Sequence, residues 1–127
     1  MNVSSYMSDS PITINSDVDY REAFDIMHDK DLHHLPVVDA DGKVVGILAQ
    51  RDLQLAARHY READVEVSQV MRAPVITVAA DETLKSAAEK MTSGRIGGLP
   101  VMDGDRIVGV ITERDLLRAL VDLLQEA

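Results

Sequence analysis

"HHLPVVDADGKVVGILAQRDL", His33 to Leu53, returns later in the chain as "GGLPVMDGDRIVGVITERDL", Gly97 to Leu116. Outward from this pair, the chain aligns with itself over nearly its whole length. Met7 matches Met71, Thr13 matches Thr77, Asp17 matches Asp81, Ala23 matches Ala87 and Met27 matches Met91, all at an offset of 64 residues. Leu35-Pro36-Val37 matches Leu99-Pro100-Val101 at the same spacing. Past the turn the offset drops to 63, pairing Gly46 with Gly109, Arg51 with Arg114 and Asp52 with Asp115. One residue is missing from the second turn, and the pattern is an internal duplication.

Each copy reads β-α-β-β-α. A short apolar run, "ITI" or "VITV", has strand character and is followed by a Ser/Asp or Ala/Asp helix-start signal. Helix-period positions come next: Tyr20, Ala23, Phe24 and Met27, then Leu84, Ala87, Ala88 and Met91. The strands "LPVVD" and "KVVGIL", and "LPVMD" and "RIVGVIT", are joined by tight turns that use Asp and Gly. A second helix starts near Gln50 and Glu113. A charged linker from Arg58 to Glu66 separates the copies, which sets repeat 1 at residues 1–62 and repeat 2 at 63–127. So small a unit cannot cover both faces of its own sheet, whereas two copies packed sheet to sheet can, with pseudo-twofold symmetry.

Composition narrows the function. A chain of 127 residues buries one moderate core or two half-size units. With 46% hydrophobic and 28% charged residues it is a globular protein, and with 3% aromatic residues its core is aliphatic. A net charge of −9 argues against nucleic-acid binding, which relies on Lys and Arg neutralising phosphates. The absence of Cys removes disulfides, thiolate metal sites and Cys nucleophiles. No leader pattern opens the chain, and no apolar run approaches the ~18 residues of a membrane span, so the expected setting is the cytoplasm, without membrane contact.

The repeated pattern is Leu35-Pro36-Val37-Val38-Asp39, Gly42, Gly46 and Asp52, then Leu99-Pro100-Val101-Met102-Asp103, Gly109, Thr112 and Asp115. It resembles a tandem pair of CBS domains, a Bateman module, from about Val3 to Leu124 with no attached enzyme or transporter. The resemblance implies an α/β (α+β) fold: two pseudo-twofold-related β-α-β-β-α repeats whose small sheets pack together, flanked by helices. It also implies a non-catalytic regulatory protein with no obligatory cofactor. Its ligand would be an adenosine nucleotide, AMP or ADP with ATP as the third candidate, held in a cleft between the repeats. A homodimer and an unknown protein partner complete the expectation.

Carried over residue by residue, the resemblance gives Thr112 and Asp115 to the ribose hydroxyls, with N–H groups at the helix start helping to hold phosphate. The backbone of Ile96, Gly97 and Gly98 would frame the adenine, and His33 and His34 would face the phosphates. The other cleft would combine Asp52 and Ala49 with Gly97-Gly98 and Arg95. Arg51 and Arg114 both stand in a first helical turn, where a cation opposes the helix dipole, so the dipole does not explain them.

A bland reading stands beside each of these. Thr112-Glu113-Arg114-Asp115 is also a capping box. In the first copy Ala49 has no capping side chain while Asp52 remains, from which a role for the Asp beyond capping is expected. The His pair also reads as an exposed dipeptide before a strand. If it does bind phosphate, binding weakens as pH rises through roughly 6.5, and His34 in place of the Arg of relatives weakens polyphosphate affinity.

Other motifs are set aside. "DADG", Asp39 to Gly42, opens like a calcium loop but has Gln50 at its twelfth position and reads as a turn. His28, His33, His34 and His59 lack metal-site spacing. "SDSP" and "NSD" are turn and cap chemistry. The last helix, "ERDLLRALVDLLQEA", carries Leu116, Leu117, Leu120, Val121, Leu123 and Leu124, more than one apolar stripe. Either its own chain buries it deeply or it is a self-association face. The rival functions are a ligand-independent interaction and dimerisation module, and an enzyme, for which the chain offers no activated nucleophile, metal cluster or phosphate-cradling loop.

Overall fold

The Leu-Pro-Val segment of each copy becomes the buried middle of a small sheet. The structure, a computed structural model, describes residues 1–61 and 63–125. Glu62 of the expected linker and Glu126-Ala127 of the expected last helix lie outside the described residues. In chain order the elements are a 3-10 turn (Val3–Ser5), β1 (Ser8–Asp9), β2 (Ile14–Asn15), α1 (Tyr20–Lys30), β3 (His34–Val38), β4 (Val44–Ala49) and α2 (Gln50–Tyr60). There follow α3 (Val67–Val70), β5 (Val78–Ala79), α4 (Leu84–Gly94), β6 (Gly98–Asp103), β7 (Arg106–Thr112) and α5 (Glu113–Leu124). The fold is mixed α/β with two small sheets. They belong to two compact units, Ile12–Val75 and Met1–Pro11 together with the chain from Ile76 onward.

In the unit Ile12–Val75 the sheet order is β2-β3-β4, with β2 parallel and β4 antiparallel to β3. Helix α1 starts at Tyr20, later than the Ser16-Asp17 signal. The Asn15 side chain accepts from the Asp17 N–H at 3.3 Å and turns the chain there, and Asp19 caps the helix by accepting from the Arg21 N–H at 2.8 Å. Tyr20, Ala23 and Met27 face inward onto Leu35, Val37, Leu48 and Leu53. Tyr20 is the one fully buried aromatic among the described residues, and its hydroxyl donates to the Arg61 carbonyl at 3.2 Å. At the turn, Asp39 Oδ1 accepts from the N–H groups of Asp41 and Lys43, both at 2.9 Å, and Gly42 takes φ +81°. Among the described residues no group of His, Cys, Asp and Glu could hold a metal ion.

The second unit has sheet order β1-β7-β6-β5 around Val3, Val78, Ala87, Met91, Leu99, Val101 and Ile111. Strand β1 and the turn before it were not expected from the sequence. Val3 is fully buried here, its N–H donating to the Glu82 carbonyl at 2.9 Å, and burial of a Val contributes about 1.5–3 kcal/mol. Ser8 and Asp9 then pair antiparallel with Val110 and Gly109 on β7. The matching segment of the second copy does the same for the first unit. Val67 is fully buried, and Arg72 and Ile47 exchange N–H to carbonyl bonds at 2.8 and 3.2 Å. The start of each copy therefore closes the sheet formed by the rest of the other.

Candidate functional site

Strand β7 runs directly into α5, and the junction is a capping box. Thr112 Oγ accepts from the Asp115 N–H at 3.4 Å, while Asp115 Oδ2 accepts from the Thr112 N–H at 2.8 Å and hydroxyl at 3.1 Å. Asp115 Oδ1 accepts from Arg118 at 2.8 Å. Among the described residues Asp115, 7% exposed, is the one buried polar or charged residue. A buried carboxyl group is costly without hydrogen-bond donors, and these supply them.

Strand β6 brings the expected adenine frame beside this carboxylate. Gly98 pairs with Thr112, and the Glu113 N–H donates to the Gly97 carbonyl at 2.9 Å. Gly98 is buried, Ile96 and Gly97 are half-buried, and Arg114 is exposed. Thus Ile96, Gly97, Gly98, Thr112 and Asp115 form one cluster. One expectation is corrected: the first N–H of α5 is committed to Gly97, so it does not stand open for a phosphate.

The first copy repeats the arrangement with different side chains. His34 pairs with Ala49, and the Gln50 N–H donates to the His33 carbonyl at 2.9 Å. His33 and Arg51 are exposed, and His34 and Asp52 are half-buried. A second correction concerns Asp52, whose Oδ2 accepts from the Ala49 N–H at 2.9 Å. The donor is backbone, so replacing Thr by Ala removes only half of the box, and Asp52 keeps a structural partner. Its persistence is not in itself a sign of binding.

Three residues that the sequence reading did not single out form a chain leading away from Asp115: Arg118, Tyr6 and Asp122. Arg118 donates to Asp115 and to the Tyr6 carbonyl at 3.1 Å, and its guanidinium lies 5.9 Å from the Tyr6 ring centroid. Its hydrogen bond to Asp115 is the first cause holding the guanidinium charged above its ordinary range. The Tyr6 hydroxyl donates to Asp122 Oδ2 at 2.6 Å, and that bond raises the phenol's pKa. Arg118 lies at i+3 from Asp115, a spacing at which helical side chains meet. Tyr6 carried no such signal.

Along α5, Leu117, Leu120, Val121, Leu123 and Leu124 are 48–61% exposed, and only Leu116 among the apolar set is half-buried. Deep burial of this helix by its own chain is therefore ruled out. No helix among the described residues is long and apolar enough to cross a membrane.

The CBS domain family matches residues 3–59 and 67–122. A CBS domain-containing protein of Dictyostelium discoideum is 35% identical over 135 residues, which cover 97% of this chain and 93% of the relative. Among solved structures, the CBS domain pair of protein MJ0100 in complex with 5′-methylthioadenosine and S-adenosyl-L-methionine is 33% identical with a TM-score of 0.87, over 96% of this chain and 97% of that one. The CBS-domain containing protein ATU1752 from Agrobacterium tumefaciens is 30% identical with a TM-score of 0.83, over 94% and 92%. The chain belongs to the CBS domain family and carries two such domains in tandem. Two enzymes also match: the L-aspartate semialdehyde sulfurtransferase of Methanocaldococcus jannaschii at 35% identity and a homoserine O-acetyltransferase of Methanohalobium evestigatum at 34%. The chain covers 22% and 24% of their respective lengths.

Proposed function

We propose that this CBS pair is a regulatory, non-catalytic protein that binds an adenosine-containing ligand at Asp115. One observation carries the reading: a buried carboxylate at a helix start, flanked by the glycine backbone of Gly97-Gly98, in a chain 33% identical to a CBS pair solved with two adenosine compounds. Thr112 and Asp115 take the ribose hydroxyls, and Ile96, Gly97 and Gly98 frame the adenine. His33 and His34 face any phosphates, with Arg114 as a further cation. Asp52 and Arg51 are the counterparts for a second, poorer site. AMP or ADP is favoured over ATP, because the net charge of −9 leaves few cations to spare. Binding favours one arrangement of a homodimer formed on the exposed face of α5, and a partner protein reads that arrangement.

The test is a thermal-shift panel of adenosine, 5′-methylthioadenosine, S-adenosylmethionine, AMP, ADP and ATP. A ligand at 100 times its Kd adds about 2.7 kcal/mol of stability, and Asp115→Ala abolishes the shift. No shift with any of the six overturns the reading. The exposed α5 face would then favour the second one, a ligand-independent interaction and dimerisation module.

A further inference from the structure

Asp115 cannot receive both ribose hydroxyls while keeping its present partners. A carboxylate offers about four acceptor positions. Oδ2 already holds the N–H and hydroxyl of Thr112, and Oδ1 holds Arg118. A diol brings two donors, so one present partner has to yield. The Thr112 N–H is fixed at the end of β7, and its Oγ is held by the Asp115 N–H, although the hydroxyl proton can rotate away from Asp115. Arg118, with 59% of its side chain exposed, can instead turn to water.

The same Arg118 nitrogen bridges Asp115 Oδ1 at 2.8 Å and the Tyr6 carbonyl at 3.1 Å. Loss of the shorter bond, charged at both ends, leaves a longer bond to an uncharged carbonyl and the ring contact on a long, solvated side chain. Its hold on Tyr6 then weakens. Tyr6 lies where the N-terminal segment turns, the N–H groups of Tyr6 and Met7 both donating to the Val3 carbonyl at 3.0 and 2.9 Å. In the first copy, the residue three places after Asp52 is Leu55, which has no guanidinium to offer.

We infer that Arg118 is a latch: it occupies the Asp115 acceptor that a ribose needs, and so couples ligand occupancy in the second repeat to the seating of the N-terminal segment at Tyr6. The inference rests on the ribose role proposed for Asp115. Arg118 is a positioning residue here, not a ligand contact.

Titration calorimetry with adenosine and AMP, with amide hydrogen exchange at Tyr6 and Met7, tests it. Arg118→Met binds adenosine roughly two- to fivefold more tightly than wild type, the span of an exposed ion pair. Saturating adenosine speeds exchange at both amides in wild type, and in Arg118→Met exchange is fast with or without it. Coupling is reciprocal, so Tyr6→Phe, which loosens the segment by removing the hydroxyl bond to Asp122 and leaves Asp115 untouched, also gains adenosine affinity. Unchanged or weaker adenosine binding in either variant, or exchange in wild type that adenosine leaves alone or slows, overturns the latch. A loss confined to AMP makes Arg118 a phosphate contact and overturns it equally. Adenosine binding that Asp115→Ala abolishes but Arg118→Met leaves unmoved brings down the latch alone. Failure of wild type to bind adenosine or AMP brings down the ribose reading with it.

Discussion

Met7 lies directly over Gly109, so close that a Cβ built on the glycine would stand 2.7 Å from the methionine sulfur and 2.6 Å from the Ser8 carbonyl. Met71 lies over Gly46 in the same way, with its sulfur 2.5 Å and the Arg72 carbonyl 2.9 Å from such a Cβ. The glycine in "VVGIL" and "IVGVI" is thus a place where a strand admits the start of the other copy. Backbone is the obstacle in each case, and backbone does not step aside as a flexible side chain does.

Gly109→Ala and Gly46→Ala should each destabilise by about 1–3 kcal/mol, the cost of overpacking. Gly104→Ala is the control: it has φ +61° but open space around it, and should cost about 1 kcal/mol from backbone strain alone. Urea unfolding midpoints give the ranking. A Gly109→Ala protein as stable as wild type contradicts the close approach.

Ala49→Thr should stabilise the protein. Ala49 already has the extended backbone of an N-cap, and Asp52 already accepts from its N–H. A hydroxyl there completes the box found at Thr112, for a gain of about 0.5–1 kcal/mol, and the reverse change, Thr112→Ala, costs about 0.5–2 kcal/mol. Thermal unfolding of the two variants should show opposite shifts.

Acid should unfold the protein partly through Asp19. Hydrogen bonds from the Arg21 side chain, then from its N–H, pull this carboxyl down to about 2. Because the folded value lies below the unfolded one of about 3.9, the stabilisation is fully present above that pH. It is lost as pH falls toward 2. Asp19→Asn keeps a capping side chain but cannot titrate, so its Tm should fall less steeply than that of wild type between pH 4 and 2.

The α5 face should govern self-association. Leu117, Leu120, Val121 and Leu124 recur at the i, i+3, i+4, i+7 spacing of a single helix face and are all about half exposed or more. Leu120→Glu should shift sedimentation from dimer to monomer without lowering the Tm of the monomer. A wild-type monomer at high concentration would remove this part of the proposal.

The sheets, the turn at Asp39 to Gly42 and the four longer helices that follow the β-strands were legible because each rests on local patterns, alternation and 3.6-residue spacing. So was the neighbourhood of Thr112 and Asp115, since a capping box spans only four residues. The exchange of starting segments was not. The match of Met7 with Met71 was visible, but nothing within either segment says whose strand it will meet. The Asp52 cap was misread because its donor is the backbone N–H of Ala49, which every residue but proline possesses. Arg118 was overlooked because its meaning depends on Tyr6, 112 residues away.

The two units also differ in when they can be completed. Residues 12–75 leave the ribosome as one uninterrupted stretch and can fold while the remainder is still being made, since domains tend to fold as units in order of synthesis. The unit beginning at Ile76 uses Ser8 and Asp9 as its outer strand. Met1–Pro11, made before either sheet, must therefore wait, with the Val3 side chain in water, until β7 has been translated to receive it.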